Sequence, residues 1–211
     1  MAISKRLTAI TSFLTTEDAF IDIGSDHAYV PIEMASRGSH KILATDIHKG
    51  ALLIAQKNII EAGYEHVIKI CLADGLENVS VEGFDTLVIA GMGYYTIKHI
   101  LEHSGKLEHI KKMILQSNNH LKELRVFMNQ LGYALVDELV VFDAGHYYTI
   151  MKYEKGTQIL KEVEYIHGLY REENKEYYQF VSEDLDHLIK KVPPEKAKTL
   201  MKEKELLNSY L

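Results

Sequence analysis

The chain has 211 residues, a formal net charge of −6 at pH 7 and one cysteine, Cys71. This length can bury a core without disulfide or metal support, and a lone cysteine excludes an internal disulfide framework. A hydrophobic content of 46% and a charged content of 26% are typical of folded proteins and exclude wholesale disorder. No apolar run is long enough to span a membrane, and polar residues interrupt the N-terminal stretch. We therefore expect a cytoplasmic protein.

Short apolar runs alternate with amphipathic stretches through the first 130 residues. The predicted strands are Ala19–Ile23, Lys41–Ile47, Val67–Leu72, Thr86–Ile89 and Met113–Gln116. The predicted helices are Tyr29–Ser36, Lys49–Ala62, Tyr95–Leu101 and Leu121–Leu131. Strands that alternate with helices favour a mostly parallel sheet with helices on both faces.

The pattern then changes. Two β-rich runs, 133–142 and 146–153, flank Asp143-Ala144-Gly145 and predict an antiparallel hairpin. Parallel units closed by such a hairpin are typical of an α/β fold with a Rossmann-like class I methyltransferase sheet. Everything after Tyr153 has helical periodicity and a much higher density of charge. We therefore predict a catalytic domain over residues 1–155 and a small, coiled-coil-like helical domain over 156–211.

Glycine and acidic residues follow the first four strands. In open α/β sheets the ligand binds at the carboxyl ends of the strands, where an acidic residue can accept ribose hydroxyls. The candidate cofactor-binding residues are Asp22, Gly24, Asp46, Ile47, Asp74, Gly75, Ala90, Gly91 and Met92. The glycine fingerprint for a pyrophosphate is missing, which disfavours a nicotinamide cofactor.

The fifth strand ends in neutral hydrogen-bonding groups, Gln116-Ser117-Asn118-Asn119-His120. Neutral amides suit the edge of a nucleobase better than a phosphate. Plainer interpretations remain open at this stage. Ser25 or Asp26 can cap the second helix, Ser117 or Asn119 can cap a later one, and Asp74-Gly75 can be an ordinary turn.

His99 and His103 stand four residues apart, as two metal ligands on a helix would. No third ligand accompanies them, and the Glu of an H-E-x-x-H motif is missing. We expect no metal.

Three strings together resemble one family: Ser4-Lys5-Arg6-Leu7, the run Asp22-Ile23-Gly24-Ser25-Asp26-His27-Ala28-Tyr29, and Ala90-Gly91-Met92-Gly93. The chain is similar to the bacterial tRNA adenine-N1-methyltransferases that modify position 22. Leu115-Gln116 with Asn118 and His120 also fits that family. The resemblance is close over residues 4–153 and loose over the helical tail. It departs at Tyr94-Tyr95, where a small residue is expected, and at Ser117, where the family tends to have proline.

The resemblance implies S-adenosylmethionine as methyl donor and tRNA as substrate. Because the residues concerned follow strand ends on one side of the predicted sheet, we expect Asp26, His27 and Asn118 to hold the amine and ring edge of the adenine. We expect Tyr29 or Tyr94 to stack on the base. The expected RNA-binding residues are Lys5, Arg6, Tyr94, Lys190 and Lys191. We expect a monomer that needs no protein partner.

The net charge at first disfavours nucleic acid, since phosphate binding draws on lysine and arginine. Residues 1–150 carry −5 and residues 151–211 only −1, so a local basic footprint is still possible. Two other classes stay open: a methyltransferase for a small molecule or protein, and a non-catalytic adenosyl-nucleotide-binding module.

Overall fold

The computed structural model describes residues 3–211. Its strands within that range are β1 (Phe20–Ile23), β2 (Ile42–Asp46), β3 (Ile68–Leu72), β4 (Thr86–Met92), β5 (Lys112–Ser117), β6 (Tyr133–Asp143) and β7 (His146–Lys155). Its α-helices are α1 (Lys5–Ser12), α2 (Tyr29–Ser36), α3 (Lys49–Ala62), α4 (Tyr94–His103), α5 (Leu121–Gln130), α6 (Glu162–His167), α7 (Lys175–Ile189) and α8 (Pro194–Leu207).

The strands form one sheet in the order β3-β2-β1-β4-β5-β7-β6. β1 to β5 pair in parallel, while β7 is antiparallel to both β5 and β6. The carboxyl ends of β1, β4 and β5 therefore lie side by side at one edge, here called the carboxyl edge. The turn between β6 and β7 reaches the same edge because β6 runs parallel to β5. This is the expected Rossmann-like methyltransferase sheet.

Local sequence explains where several elements end. Helix α3 stops at Gly63, which takes the left-handed conformation at φ 78° and donates its N–H to Ile59 O or Ile60 O. The hairpin closes through Ala144 and Gly145, at φ 48° and 85°. Two successive positive φ values give a turn whose twist matches the strands that it joins.

Each face of the sheet carries its own core. Helices α4 and α5 pack on one face through residues such as Ile97, Leu124 and Phe127. Helices α1, α2 and α3 pack on the other through Ile10, Met34 and Ile59. The sequence did not predict α1, although Ser4 caps it by accepting the N–H of Leu7.

The helical tail docks against α5 and β6. Arg125 of α5 and Glu138 of β6 form an ion pair that is 1% exposed on both sides. The Arg125 guanidinium also donates to the carbonyl oxygens of Tyr165 and Ile166 in α6, at 3.1 Å each. Helices α7 and α8 pack against each other around a separate small core that includes Tyr178, Leu185 and Leu207. No helix in residues 3–211 is long and apolar enough to cross a membrane.

Candidate active site

Asp22 fixes the loop that follows β1. Its Oδ2 accepts a hydrogen bond from Ser25 Oγ at 2.6 Å, and the N–H groups of Gly24 and Ser25 both donate to Thr45 O at 2.9 Å. Burial raises the pKa of Asp22 to about 6; the Ser25 bond opposes that rise and the nearby Asp46 carboxylate adds to it. Asp22, a candidate cofactor-binding residue, thus orients this loop through Ser25.

Asp46 ends β2 with its carboxylate close to the same loop. Oδ2 accepts the N–H of Asp26 at 3.2 Å, and Oδ1 accepts the N–H of His48 at 2.8 Å. Nδ1 of the His48 ring also lies 3.2 Å from Oδ1. An ionised carboxylate has about four acceptor sites, so about one remains for a ligand, and the exposed His48 ring can turn away to free a second. Asp46 therefore both shapes the loop after β1 and keeps acceptor capacity.

Gly24 combines a left-handed backbone with a close neighbour. Its φ is +74°, and a Cβ built there would stand 2.3 Å from Cε of Met92. In this structure a thioether side chain from β4 therefore lies against Gly24. Methionine is flexible, so this side chain can turn aside for a ligand.

Asp26, His27 and Tyr29 project from the turn between β1 and α2. Asp26 is exposed, and its Oδ2 lies 3.6 Å from Nδ1 of His27. The His27 and Tyr29 rings meet edge to face with centroids 5.4 Å apart. The N-cap of α2 is Ala28, with no side-chain cap, so the interpretation of Ser25 or Asp26 as a helix cap is wrong.

Gln116 ties β4 and β5 together beneath the mouth of the site, and its side chain is fully buried. Its Oε1 accepts from Gly91 N and from Arg6 Nη1, and its Nε2 donates to Asn118 Oδ1, all at 3.0 Å. The register between β4 and β5 shifts between Ala90 and Met92, which frees the N–H of Gly91 for this contact.

Asn118 is exposed and yet firmly held. Its Nδ2 donates to Gly91 O at 2.9 Å and its N–H to Met92 O at 2.9 Å. Gln116 therefore fixes the amide orientation of Asn118. The sequence analysis did not include Gln116 among the site residues. The run of neutral polar groups at the end of β5 marked this segment, but it did not reveal the role of Gln116.

Tyr94 is only 8% exposed and packs against Phe127, with ring centroids 6.4 Å apart. Its N–H donates to Asn119 Oδ1 at 3.0 Å. The N-cap of α5 is His120 without a side-chain bond, so the capping interpretation of Ser117 and Asn119 is also wrong. A buried ring cannot stack on RNA, which speaks against Tyr94 in that role.

Arg6 has partners inside the protein. Besides its bond to Gln116, its N–H donates to Asp143 Oδ2 at 3.0 Å, and its guanidinium lies 5.4 Å from the centroid of the Tyr148 ring. Within the protein, Arg6 therefore holds the side chain of Gln116 in place. The neighbouring Lys5 is exposed.

The remaining candidates lie farther out. Ile47 is 55% exposed after β2, and Asp74 is exposed after β3. Gly75 has a φ of +56° and packs under the Ile100 side chain. Lys190 and Lys191 are exposed at the C-terminal end of α7.

No group of three histidine, cysteine or acidic side chains in residues 3–211 is arranged to hold a metal ion. The mouth of the site thus offers acidic and amide acceptors, amide donors and aromatic rings. Such groups suit a nucleoside, whose hydroxyls and base edge need both donors and acceptors.

Comparison with known proteins agrees with this chemistry. Residues 3–151 match the model of a methyltransferase domain family. The tRNA (adenine(22)-N(1))-methyltransferase of Bacillus subtilis is 33% identical over 158 residues, which cover 74% of this chain and 66% of that enzyme. The crystal structure of the Bacillus subtilis m1A22 tRNA methyltransferase is 28% identical, covers 99% of this chain and 98% of that one, and gives a TM-score of 0.83.

A Streptococcus pneumoniae structure with a provisional assignment as a tRNA (m1A22) methyltransferase is 30% identical over the full length of both chains, with a TM-score of 0.91. The same protein in complex with S-adenosyl-L-methionine gives a TM-score of 0.88.

The sheet, the loop after β1 and the acidic residue that ends β2 together define a Rossmann-like methyltransferase. The similarity to the tRNA (m1A22) methyltransferase structures extends over nearly the whole length of both chains, so a family within this class can be assigned. The chain belongs to the family of tRNA (m1A22) methyltransferases.

Proposed function

We propose that this chain transfers a methyl group from S-adenosylmethionine to N1 of the adenine at position 22 of tRNA. The observation that carries the proposal is the meeting of two sets of residues at one edge of the sheet. Asp22, Gly24 and Asp46 surround the loop after β1, and we assign the adenosyl group to them. Asp26 and His27 in that loop and Asn118 after β5 lie at the same edge, and we assign the adenine to them. The family assignment supplies the substrate.

The residues present fit the cofactor. Asp46 keeps acceptor capacity for ribose hydroxyls after it has bound the N–H groups of Asp26 and His48. Gly24 leaves a cradle that any Cβ would fill, and the side chain that lines it, Met92, is flexible. Asp74, Gly75, Ile47 and Ala90 complete the proposed cofactor pocket.

S-adenosylmethionine, when bound, supplies an electrophilic methyl group that adenine N1 can accept through its in-plane lone pair. No proton must leave N1 first, so the protein needs no strong base. Its tasks are to position the base and to stabilise the positive charge that the methylated ring acquires.

We assign these tasks to the groups at the mouth. Because N1 lies on the Watson–Crick edge, the adenine must leave its base pair and its stack. The amide of Asn118, which Gln116 and Gly91 hold in place, is suited to that edge. The Asp26 carboxylate favours the cationic ring of the methylated adenine, and His27 lies beside that carboxylate. Tyr29 is the tyrosine that is available to stack on the adenine.

The tail is proposed to contact the tRNA through Lys190 and Lys191, and Lys5 and Arg6 to do so near the mouth. Asn174, just before α7, accepts the N–H of Val140, and the ring of Phe180 meets Tyr147 near the hairpin turn. Helix α7 therefore runs toward the carboxyl edge, and its last residues extend in that direction. This placement supports a tail that meets the same RNA as the site.

We propose a monomer that acts in the cytoplasm without a protein partner. Mass measurement in solution checks this, because a stable dimer at assay concentrations would contradict it.

The direct test incubates the protein with transcribed tRNA and labelled donor, followed by mapping of the modified nucleoside. We expect 1-methyladenosine at position 22 and no product when that adenine is replaced by guanine. Asp26→Ala and Asn118→Ala should each lower kcat by about 10- to 100-fold while S-adenosylhomocysteine still binds. Methylation of a small molecule or a protein, with none of tRNA, would refute the proposal, and wild-type rates in both variants would refute the assignment of Asp26 and Asn118.

A further inference from the structure

We propose that the ring of Tyr95 stacks on the base of a nucleotide that flanks the target adenine. This inference rests on the proposed function and names a part of the substrate site that the assigned residues leave out. Tyr95 lies on the side of the site that the first residues of α4 and α5 form. The turn that carries Asp26 and His27 forms the other side.

Tyr95 is 70% exposed and is the second residue of α4, directly beyond Gly93 at the carboxyl edge. A single exposed aromatic side chain needs no explanation by itself. Tyr95 differs because other rings support it: its ring centroid lies 5.1 Å from that of Tyr94 and 5.4 Å from that of His120.

One of the two supporting rings is fixed. Tyr94 is buried in the core, and its N–H is bound to Asn119. His120, the residue before α5, is exposed and adds a second ring beside Tyr95. An exposed ring that a buried neighbour already holds on one side loses less conformational entropy when a base stacks on it.

The position suits a flanking base rather than the target. Asp26, His27 and Tyr29 lie at the start of α2, on the opposite face of the sheet from α4 and α5. Asn118 is the first residue after β5, at the carboxyl edge and only two residues before His120. When the adenine turns out of its stack toward Asp26 and Asn118, the next base loses its stacking partner, and the exposed Tyr95 ring can replace that partner.

Stacking on an aromatic ring tolerates any base and depends on the ring, not on the hydroxyl. Tyr95→Leu should therefore raise KM for tRNA by roughly 5- to 100-fold with little change in kcat. Tyr95→Phe and Tyr95→Trp should stay within about twofold of the wild type. The matched control is Tyr170→Leu, which removes a half-exposed tyrosine from the tail and should leave KM unchanged.

Binding of S-adenosylhomocysteine is measured in parallel and should be the same in all of these variants. An unchanged KM in Tyr95→Leu overturns the inference, and so does an equal rise in Tyr170→Leu. A fall in kcat at constant KM also overturns it, because it would place Tyr95 on the reacting base. The wild-type enzyme separates the two proposals: if it does not methylate tRNA, the proposed function fails first.

Discussion

Asp22 is a buried carboxyl group with a second carboxylate, Asp46, close by. Both facts disfavour its charged form, and the single hydrogen bond from Ser25 Oγ does not compensate, so its pKa is raised to about 6. The site therefore holds a residue that costs stability at neutral pH. Such a cost is expected where a structure is arranged for a ligand rather than for folding alone.

The sign of this cost is testable. The unfolded chain ionises Asp22 near pH 3.8, whereas the folded chain keeps the proton up to about pH 6. Stability contributed by this group is therefore greatest below pH 4 and falls as the pH rises to about 6. Asp22→Asn keeps an acceptor for Ser25 and loses the charge. It should gain roughly 3 kcal/mol over the wild type at pH 8 and nothing near pH 4, as measured by chemical denaturation across pH.

Asp143 provides the opposite control. The N–H of Arg6 lowers the pKa of its carboxyl group, so this charge stabilises the folded state at neutral pH and loses that effect as the pH falls. Asp143→Asn should thus lose stability at pH 8 and recover toward wild type in acid. If the Asp22→Asn difference did not vary with pH, the raised pKa would be wrong.

At the level of single residues, the sequence predicted which positions reach the carboxyl edge but not which way every side chain points. Helix α4 begins at Tyr94, one residue before the predicted start. Because each residue turns a helix by about 100°, two adjacent tyrosines face different ways, and the packing of Tyr94 against Phe127 determines which one is buried. Gln116 could not be singled out either, because its role depends on a register shift in β4 that no local pattern reveals.

The secondary-structure elements could be predicted from the sequence more reliably than the side-chain directions. The bounds of α2 and α3 agree with the sequence prediction, because glycine and polar residues mark their ends, and the hairpin was visible in its turn residues. The eight-residue helix α1 was missed, since its packing on α2 and β6 is what stabilises a segment too short to be helical alone.

A buried ion pair lies at the join between sheet and tail. Arg125 and Glu138 satisfy each other, and Arg125 also binds two carbonyl oxygens of α6. Removing one partner leaves a buried charge. Arg125→Met and Glu138→Leu should each cost about 3–5 kcal/mol in free energy of unfolding, while the double variant Arg125→Met/Glu138→Leu should cost clearly less than their sum.

Hydrogen exchange locates the effect: amides of α6, α7 and α8 should lose protection before those of the sheet. The half-exposed pair Arg171–Asp137, joined at 2.7 Å, is the matched control. Asp137→Asn should cost less than about 1 kcal/mol. Additive costs in the buried pair would mean that the two residues act independently.

At the scale of the whole molecule, a protein with a net charge of −6 needs a local basic surface to bind RNA. The tail is nearly neutral, and Lys190 and Lys191 are exposed just after α7. Under the proposed function, selectivity depends on the shape of the tRNA and on the extruded base, and these lysines add a local electrostatic contribution that salt weakens.

Lys190→Ala/Lys191→Ala should therefore weaken tRNA binding and reduce the slope of log affinity against log salt by about one for each phosphate that the protein no longer neutralises. Both side chains are exposed, so the fold and the affinity for S-adenosylhomocysteine should be unchanged. The matched control is Lys57→Ala/Lys69→Ala, which removes two exposed lysines from α3 and β3. Filter binding of tRNA at several salt concentrations measures both pairs. If the control lowers the slope as much as the tail variant, diffuse charge holds the RNA and the tail makes no specific interaction with it. If only the tail variant lowers the slope, the C-terminal end of α7 lies against the phosphate backbone of the bound tRNA.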